Sequence, residues 1–243
     1  MKLQNKILLM FLLISVNNYL FSETPESIVE KNLRARGNID SLQNLKTFRI
    51  IGKIETEGIE FPMVYYYKSP DKYRIQIDLM GQSGITVFNG DQGWIVDPSQ
   101  NILSPQILSS AEINSIKPML NCIFSFYSDM LIDYKSKGIV LDSLYQATFD
   151  GKKVFNLAFT TPKKHHFIYS IDPTTYIDLF HTVVLSNTNL TFHLKLSDFY
   201  ALNGIVFPRI IESKVENNQR LTKVIIDNIQ VNNPIDDSLF TIP

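Results

Sequence analysis

The sequence has little that would support cross-linking, nucleic-acid binding or permanent membrane anchoring. It contains one cysteine, Cys122, in 243 residues. A single cysteine excludes an internal disulfide, so the fold must be held together by its apolar core. The 23 Lys and Arg residues nearly balance the 24 Asp and Glu residues, leaving a formal net charge of −1. This balance gives no indication of a nucleic-acid partner.

The amino terminus has the pattern of a secretory signal peptide. Lys2 and Lys6 precede a short apolar stretch over residues 7–16. As a helix this stretch would span about 15 Å, half of a bilayer core of roughly 30 Å, so it is too short for a permanent anchor. We expect cleavage after Ser22. Residues 1–22 are therefore predicted to be a signal peptide and residues 23–243 a single domain. No cysteine for lipid attachment follows the apolar stretch.

The predicted domain begins with a helix over residues 25–36. Thr24 or Ser22 can cap its amino end, Pro25 suits its first turn, and Gly37 ends it. A second short helical turn is predicted over residues 41–45. Together they form a small helical start to a chain that otherwise follows the pattern of strands.

Most of the remaining chain alternates apolar and polar side chains with a period of two, which predicts antiparallel strands. Short turns rich in Gly, Pro, Asn and Asp connect these segments, as expected for antiparallel neighbours. The predicted strands are 47–55, 61–67, 73–79, 85–88, 94–97, 139–145, 154–160, 167–172, 181–185, 192–198, 207–215 and 222–231. So many short strands indicate a strongly curved sheet or barrel.

The alternation stops between residues 105 and 134, where apolar residues fall at helical spacing. We interpret this stretch as a helical lid or plug. Pro118 is predicted to break a helix or to begin one there, because proline lacks the backbone N–H that continues the helical ladder. At the carboxyl end, residues 236–240 are predicted to form one helical turn that closes an edge of the sheet.

No catalytic constellation is recognisable. The four histidines, at positions 165, 166, 181 and 193, lack the spacing of a zinc hydrolase, and Cys122 stands among apolar neighbours as a buried thiol does. Neither a nucleophile elbow nor a phosphate-binding glycine loop occurs. We therefore predict a protein that is not an enzyme and that has no metal and no cofactor. A lipid hydrolase that uses Cys122 or a histidine is the weakest alternative.

Several short motifs occur in an order that resembles a known family. They are Arg36-Gly37-Asn38 after the first helix, Lys68-Ser69-Pro70-Asp71, residues 88–94, residues 131–138, Ile171-Asp172-Pro173-Thr174, residues 203–208 and residues 232–240. In this order they resemble the LolA-like periplasmic proteins, particularly the larger members often named outer membrane lipoprotein-sorting proteins. The resemblance covers essentially all of the predicted domain.

The resemblance implies a mainly β fold, an unclosed antiparallel β-barrel of about eleven strands lidded by α-helices. It also implies a monomeric periplasmic carrier that binds acyl chains of lipoproteins or lipids in an apolar cavity and delivers them towards the outer membrane. An inner-membrane donor and an outer-membrane acceptor protein would be its partners. In the family's lipoprotein carriers a basic residue directly before the proline that corresponds to Pro70 helps to gate the lid. Here that residue is Ser69, and Lys68 is the nearest basic substitute.

Two sets of side chains are the candidate binding site. The cavity is predicted to be lined by the more apolar strand faces: Phe48, Ile50, Met63, Tyr65, Tyr67, Ile75, Ile77, Leu79, Val87 and Trp94. The lid is predicted to use Ile116, Leu120, Phe124 and Tyr127. Ordinary core packing explains each of these residues equally well. The alternative function is therefore a periplasmic sensor or scaffold of the same fold that has a filled interior and binds a protein partner without transport.

Overall fold

A computed structural model describes residues 23–242 of the chain apart from residues 38, 129, 189 and 219, without the side chains of residue 122 and residues 125–128. The predicted signal peptide lies outside these residues and stays a prediction. The helices are α1 (Pro25–Arg36), α2 (Ile39–Gln43) and α3 (Ser110–Ser128). The strands are β1 (Thr47–Thr56), β2 (Ile59–Lys68), β3 (Lys72–Leu79), β4 (Gln82–Asn89), β5 (Gln92–Asp97), β6 (Ile102–Ile107), β7 (Val140–Phe149), β8 (Lys152–Thr160), β9 (His166–Ile171), β10 (Asp178–Leu185), β11 (Leu190–Leu202), β12 (Ile205–Val215) and β13 (Leu221–Val231). Two short 3₁₀ turns complete the described chain, Pro98–Gln100 and Asp237–Phe240.

All thirteen strands belong to one antiparallel sheet in the order β6-β5-β4-β3-β2-β1-β13-β12-β11-β10-β9-β8-β7. The two end strands, β6 and β7, do not pair with each other, so the sheet is an unclosed barrel. The predicted architecture is confirmed, with thirteen strands where the resemblance implied about eleven. The chain between the two edges contains α3, and this helix therefore connects the two sides of the opening.

The strand that the sequence did not predict is β6, whose second half, residues 105–107, falls inside the stretch predicted to be helical. Five of its six residues are exposed, so no burial alternation marks it, and it contains Pro105. An edge strand tolerates proline because one of its sides has no ladder hydrogen bonds to lose. The helix itself begins only at Ser110, after a capping contact in which the Glu112 carboxylate accepts from Ser109 N–H at 2.7 Å.

Helix α1 follows its sequence prediction closely. Thr24 Oγ1 accepts a hydrogen bond from Ser27 N–H, Pro25 occupies the first turn and Gly37 follows the last residue. Gly37 also approaches the turn before β12, where a Cβ atom would lie 2.5 Å from the Gly204 carbonyl oxygen. Its φ of 151° adds a second reason for glycine. The end of α1 is thus seated directly against the sheet.

Helix α3 corrects the prediction for Pro118, because the helix runs through this residue without a break. Proline has no N–H to offer the carbonyl four residues earlier, which is that of Asn114. The side-chain amide of Asn187, in the turn between β10 and β11, donates to this carbonyl oxygen instead. A side chain from the sheet therefore replaces the missing helical hydrogen bond, and it also connects α3 to the rim of the barrel.

The sheet is apolar on both faces over part of its area. The inner face, on which α1 and α3 pack, carries the large core cluster. The outer face carries a smaller cluster of Val87, Trp94 and Phe240. The carboxyl-terminal turn therefore covers the outer face of β3 to β5, which corrects the prediction that it closes an edge. No helix within the described ranges is long and apolar enough to cross a membrane.

Candidate ligand-binding site

The inner face brings together most of the predicted cavity residues. Side chains of one parity meet across the strands, as in the pairs Phe48 with Tyr67 and Ile50 with Tyr65, and the face continues through Met63 opposite Ile77. The predicted residues that are fully buried on this face are Phe48, Ile50, Met63, Tyr65, Tyr67 and Ile75. Ile77 is half-buried against the same cluster, and Leu79 lies two positions further along β3 with intermediate exposure.

Val87 and Trp94 are placed on the outer face instead. Thr86 pairs with the inner-face residue Ile75, so its neighbour Val87 lies on the outer face. Trp94 pairs with Val87 and therefore lies on the outer face as well. Both side chains pack under Phe240 of the carboxyl-terminal turn. Their placement corrects the assignment of these two residues to the cavity face. The inner face at this position is occupied by Phe88, which is fully buried.

Helix α3 covers the inner face with an aromatic contact at its centre. The ring of Phe124 stacks on Tyr65 with centroids 4.0 Å apart and an interplanar angle of 15°. Ile116 and Leu120 are half-buried against the same cluster, and Ile113 is fully buried in it. The side chain of Tyr127 lies outside the described residues. Three of the four predicted lid residues thus lie on α3 against the inner face, and their role as a lid stays a prediction. For brevity α3 is called the lid helix from here on.

A polar contact fastens the lid helix to the β2–β3 turn. The Lys117 amino group donates to the Asp71 carboxylate at 2.6 Å and to the Gly90 carbonyl oxygen at 2.8 Å. The family's position before Pro70 is not involved, and Lys68 donates to the Ile235 carbonyl oxygen on the outer face. The Lys117–Asp71 pair could not be predicted from the sequence because its partners lie 46 residues apart in two different elements.

A pocket of about 380 Å³ opens beside the lid helix. Its volume falls within the roughly 300–1,000 Å³ of small-molecule sites. It is bounded by the lid helix on one side and by the β8–β9 turn and the end of β10 on the other. Its lining residues are Asp71, Ile113, Asn114, Lys117, Pro118, Asn121, Met130, Thr161, Pro162, Lys163, His165, Phe167 and Leu185. Ile113, Phe167 and Leu185 also belong to the inner core cluster, so the pocket is continuous with it.

A buried ionic cluster joins α1 to the sheet. The Asp178 carboxylate at the start of β10 accepts from the Asn32 side-chain amide at 3.1 Å and lies 2.5 Å from His181 Nε2. Arg36 Nε is 3.9 Å from the same carboxylate, and all four side chains are nearly inaccessible to solvent. Burial alone would raise the pKa of Asp178, but Arg36, His181 and Asn32 hold it well below its usual range. Asp178 is therefore ionised at neutral pH.

Comparison with known proteins identifies the fold. No protein-family model matches the sequence, and neither does any curated protein. Solved structures do match. The LolA superfamily protein NE2245 from Nitrosomonas europaea has a TM-score of 0.58 at 12% identity, covering 90% of this chain and 97% of that one. A DUF1329 family protein from Desulfovibrio piger has a TM-score of 0.59 at 14% identity, covering 90% and 98%.

A third match is a domain from Vibrio parahaemolyticus assigned to the outer membrane lipoprotein-sorting proteins. Its TM-score is 0.54 at 11% identity, and the alignment covers 89% of this chain and 97% of that domain. The three alignments span nearly the whole of each solved chain, so the likeness concerns the complete architecture and not a shared substructure. The chain has the LolA-like fold.

Proposed function

We propose that this LolA-like fold serves as a periplasmic carrier that binds acyl chains of lipoproteins or lipids between the inner face of the sheet and the lid helix, and delivers them towards the outer membrane. The observation that carries the proposal is the stacking of Phe124 on Tyr65, because it places a helix over an apolar surface. An acyl chain offers that surface the same kind of contact. The lid helix and the chain would then compete for one site.

The free energy gained by burying an acyl chain is large enough to offset displacement of the lid helix. Burying an acyl chain of about fifteen methylenes is worth roughly 12 kcal/mol at ~0.8 kcal/mol per methylene. That gain would give nanomolar binding if nothing opposed it. Displacing the lid helix consumes part of this gain, because Phe124, Ile113 and their half-buried neighbours must leave the inner face. A carrier needs this opposition, since it must release its cargo to an acceptor.

The periplasmic location and the membrane-bound donor and acceptor belong to the same proposal. They are supported by the predicted signal peptide and by the fold shared with the domain from Vibrio parahaemolyticus. The inner-face residues retained in the proposal as the binding surface are Phe48, Ile50, Met63, Tyr65, Tyr67, Ile75, Ile77 and Leu79. Val87 and Trp94 are left out because they lie on the outer face.

Two isoleucine substitutions on opposite faces of neighbouring strands test the proposal. Ile77→Asn puts a polar group on the inner face, whereas Ile85→Asn puts the same group against the outer cluster. Burying an unpaired amide costs about 1–3 kcal/mol, so Ile77→Asn should weaken binding of a fluorescent acyl probe by about tenfold or more. Ile85→Asn should leave it unchanged. Equal effects of the two variants would contradict an inner-face site.

A lipid extract supplies the complementary test. Protein purified from its own periplasm should yield acyl lipids or acylated protein by mass spectrometry. A protein that is free of lipid and that also ignores added acyl probes would exclude the carrier function. That result would favour the sensor or scaffold alternative, which one feature supports. The edge strand β6 has one unpaired side and exposes Leu103 and Ile107, which are 67% and 68% accessible, to a protein partner.

A further inference from the structure

The pocket beside the lid helix differs from the rest of the inner face because it combines an apolar floor with lysine and histidine side chains. We propose that it is a head-group site, and that the carrier's ligand is an amphiphile whose head is anionic, such as a carboxylate or a phosphate monoester. This inference rests on the proposed carrier function and adds to it the chemical class of the ligand.

The floor of the pocket provides a path for the acyl chain. Phe167, Leu185 and Ile113 line the pocket and at the same time belong to the inner core cluster. The Phe167 ring stacks on Phe159, with centroids 5.1 Å apart, deeper along the same face. A ligand whose head stays in the pocket can therefore extend its chain onto the inner face without crossing a polar surface.

Lys163 supplies the positive charge that is available to a ligand. It is exposed in the β8–β9 turn, lines the pocket, and forms no ion pair with any residue that the structure describes. Lys117 lies opposite it on the lid helix and is paired with Asp71. Asp71 is the acidic residue in the pocket lining, and its charge is compensated by this pair. The lining as a whole carries an excess of one positive charge.

His165 supplies a hydrogen-bond donor next to Lys163. Its Nδ1 accepts from the backbone N–H of Ser186 at 3.3 Å, while the Ser186 hydroxyl donates to the Lys163 carbonyl oxygen at 3.1 Å. In a neutral imidazole the proton then resides on Nε2, which leaves that N–H to donate to a ligand. Burial, and then the charge of Lys163, lower the pKa of His165 and favour this neutral form.

Asn121 adds an amide of the lid helix to the same lining. Its side-chain oxygen is buried and has no hydrogen-bond partner within the described chain. A buried amide oxygen without a partner is costly, so a protonated or hydroxyl-bearing group of a head would satisfy it. Head groups that combine an anionic oxygen with an O–H, such as a phosphate monoester or a glycerol phosphate, match this combination of donors and acceptor.

Binding of three amphiphiles that share one chain tests the proposal by isothermal titration calorimetry below their micelle concentrations. The ligands are dodecanoate, dodecyl phosphate and dodecanol, and inorganic phosphate serves as the free anion. A charge-assisted hydrogen bond contributes about 1.5–3 kcal/mol, so the two anionic amphiphiles should bind roughly tenfold or more tightly than dodecanol. Inorganic phosphate alone should show no comparable binding.

Substitutions in the β8–β9 turn locate the effect. Lys163→Gln and His165→Gln should each reduce the preference for dodecanoate over dodecanol several-fold and leave the affinity for dodecanol unchanged. Lys164→Gln is the matched control, because Lys164 is the adjacent exposed lysine and does not line the pocket. Retained dodecanol binding also reports that each variant is folded.

Each of the other outcomes overturns a distinct part of the proposal. Equal affinities for dodecanoate and dodecanol would refute the anionic head group and leave the carrier function intact. Absence of binding by all three amphiphiles would refute the carrier function as well. Comparable binding of inorganic phosphate would make the pocket a site for free anions. A preference that survives both Lys163→Gln and His165→Gln would place the head group elsewhere.

Discussion

Helices α1 and α3 both pack on the inner face, but they are attached to the sheet by different physical means. Helix α1 is fixed by the fully buried carboxylate of Asp178, which faces Asn32, Arg36 and His181. The lid helix is fixed by aromatic stacking and by the Lys117–Asp71 pair, in which Asp71 is 41% accessible. Detaching α1 leaves charges in an apolar interior, whereas detaching the lid helix returns its charges to water.

This difference assigns a separate role to each helix. Removing one partner of a buried ion pair costs about 3–5 kcal/mol, and an exposed pair is worth about 0–1 kcal/mol. Helix α1 therefore belongs to the permanent scaffold, together with the strands β7, β10 and β12 that it contacts. In the proposed carrier function, the lid helix is the element that a ligand would displace. Three substitutions test this contrast.

The largest effect is expected for Asp178→Asn. The change keeps the shape of the side chain but removes the buried negative charge that faces Arg36 and His181, so the free energy of unfolding should fall by about 3–5 kcal/mol. Urea denaturation followed by circular dichroism measures this loss. Asp150→Asn is the control, because Asp150 pairs with Lys195 on the surface and both side chains are about half exposed. Its effect should stay below about 1 kcal/mol.

The pH dependence of the stability of the wild type and of Asp178→Asn shows whether the charge of Asp178 is responsible for the difference. Because the pKa of Asp178 is lowered in the folded state, its contribution to stability is present above the unfolded value, near 3.8, and is lost as the pH falls through the folded value. The stability difference between the wild type and Asp178→Asn should therefore be constant from pH 7 to 5 and shrink below about pH 4. A difference that does not change down to pH 3 would argue against an ionised Asp178.

A smaller effect is expected for Phe124→Ala in the lid helix. Loss of the ring that stacks on Tyr65 should cost about 3 kcal/mol, at the lower end for Phe→Ala changes, because the helix can settle into the vacated space. Amide hydrogen exchange should accelerate in residues 110–128 while α1 stays protected. The matched truncation Leu33→Ala in α1 should lower global stability without this selective effect. Uniform acceleration in both helices would remove the distinction between scaffold and lid.

The smallest effect is expected for Lys117→Met. The partly exposed pair with Asp71 should contribute about 0.2–1 kcal/mol to stability, and its loss should favour the open lid. For an acyl probe with an uncharged head we expect the affinity to increase up to several-fold, with a smaller increase at high salt because the wild-type pair is then already screened. Lys53→Met, which breaks the surface pair with Glu60, should change neither property. A decrease in affinity would mean that Lys117 holds ligand and not the lid.

The regular parts of the fold were predictable because their patterns are local. Strand β3 alternates Tyr73, Ile75 and Ile77 with polar residues, and α1 carries its cap, its proline and its terminal glycine in sequence. Strand β6 was missed because its exposed edge position removes the alternation. The continuity of α3 through Pro118 was missed because it depends on Asn187, a residue in a distant turn.

The site was predictable only in part, for a related reason. Strand β4 has apolar residues of both parities, since the carboxyl-terminal turn covers its outer face while the core covers its inner face. Alternation therefore could not assign Val87, or Trp94 opposite it, to a face. The ionic cluster joins Asn32 to Asp178 across 146 residues of chain, and no local pattern marks either of them as a partner of the other.

The unpaired edges of the sheet have a consequence for the size of the cargo. A closed barrel has a circumference fixed by its number of strands and their stagger, because changing it would break inter-strand hydrogen bonds. Here β6 and β7 are connected through a helix and not by a ladder of hydrogen bonds, so no inter-strand hydrogen bond fixes the distance between them. In the proposed carrier, one sheet would then enclose acyl chains of different number without breaking an inter-strand hydrogen bond.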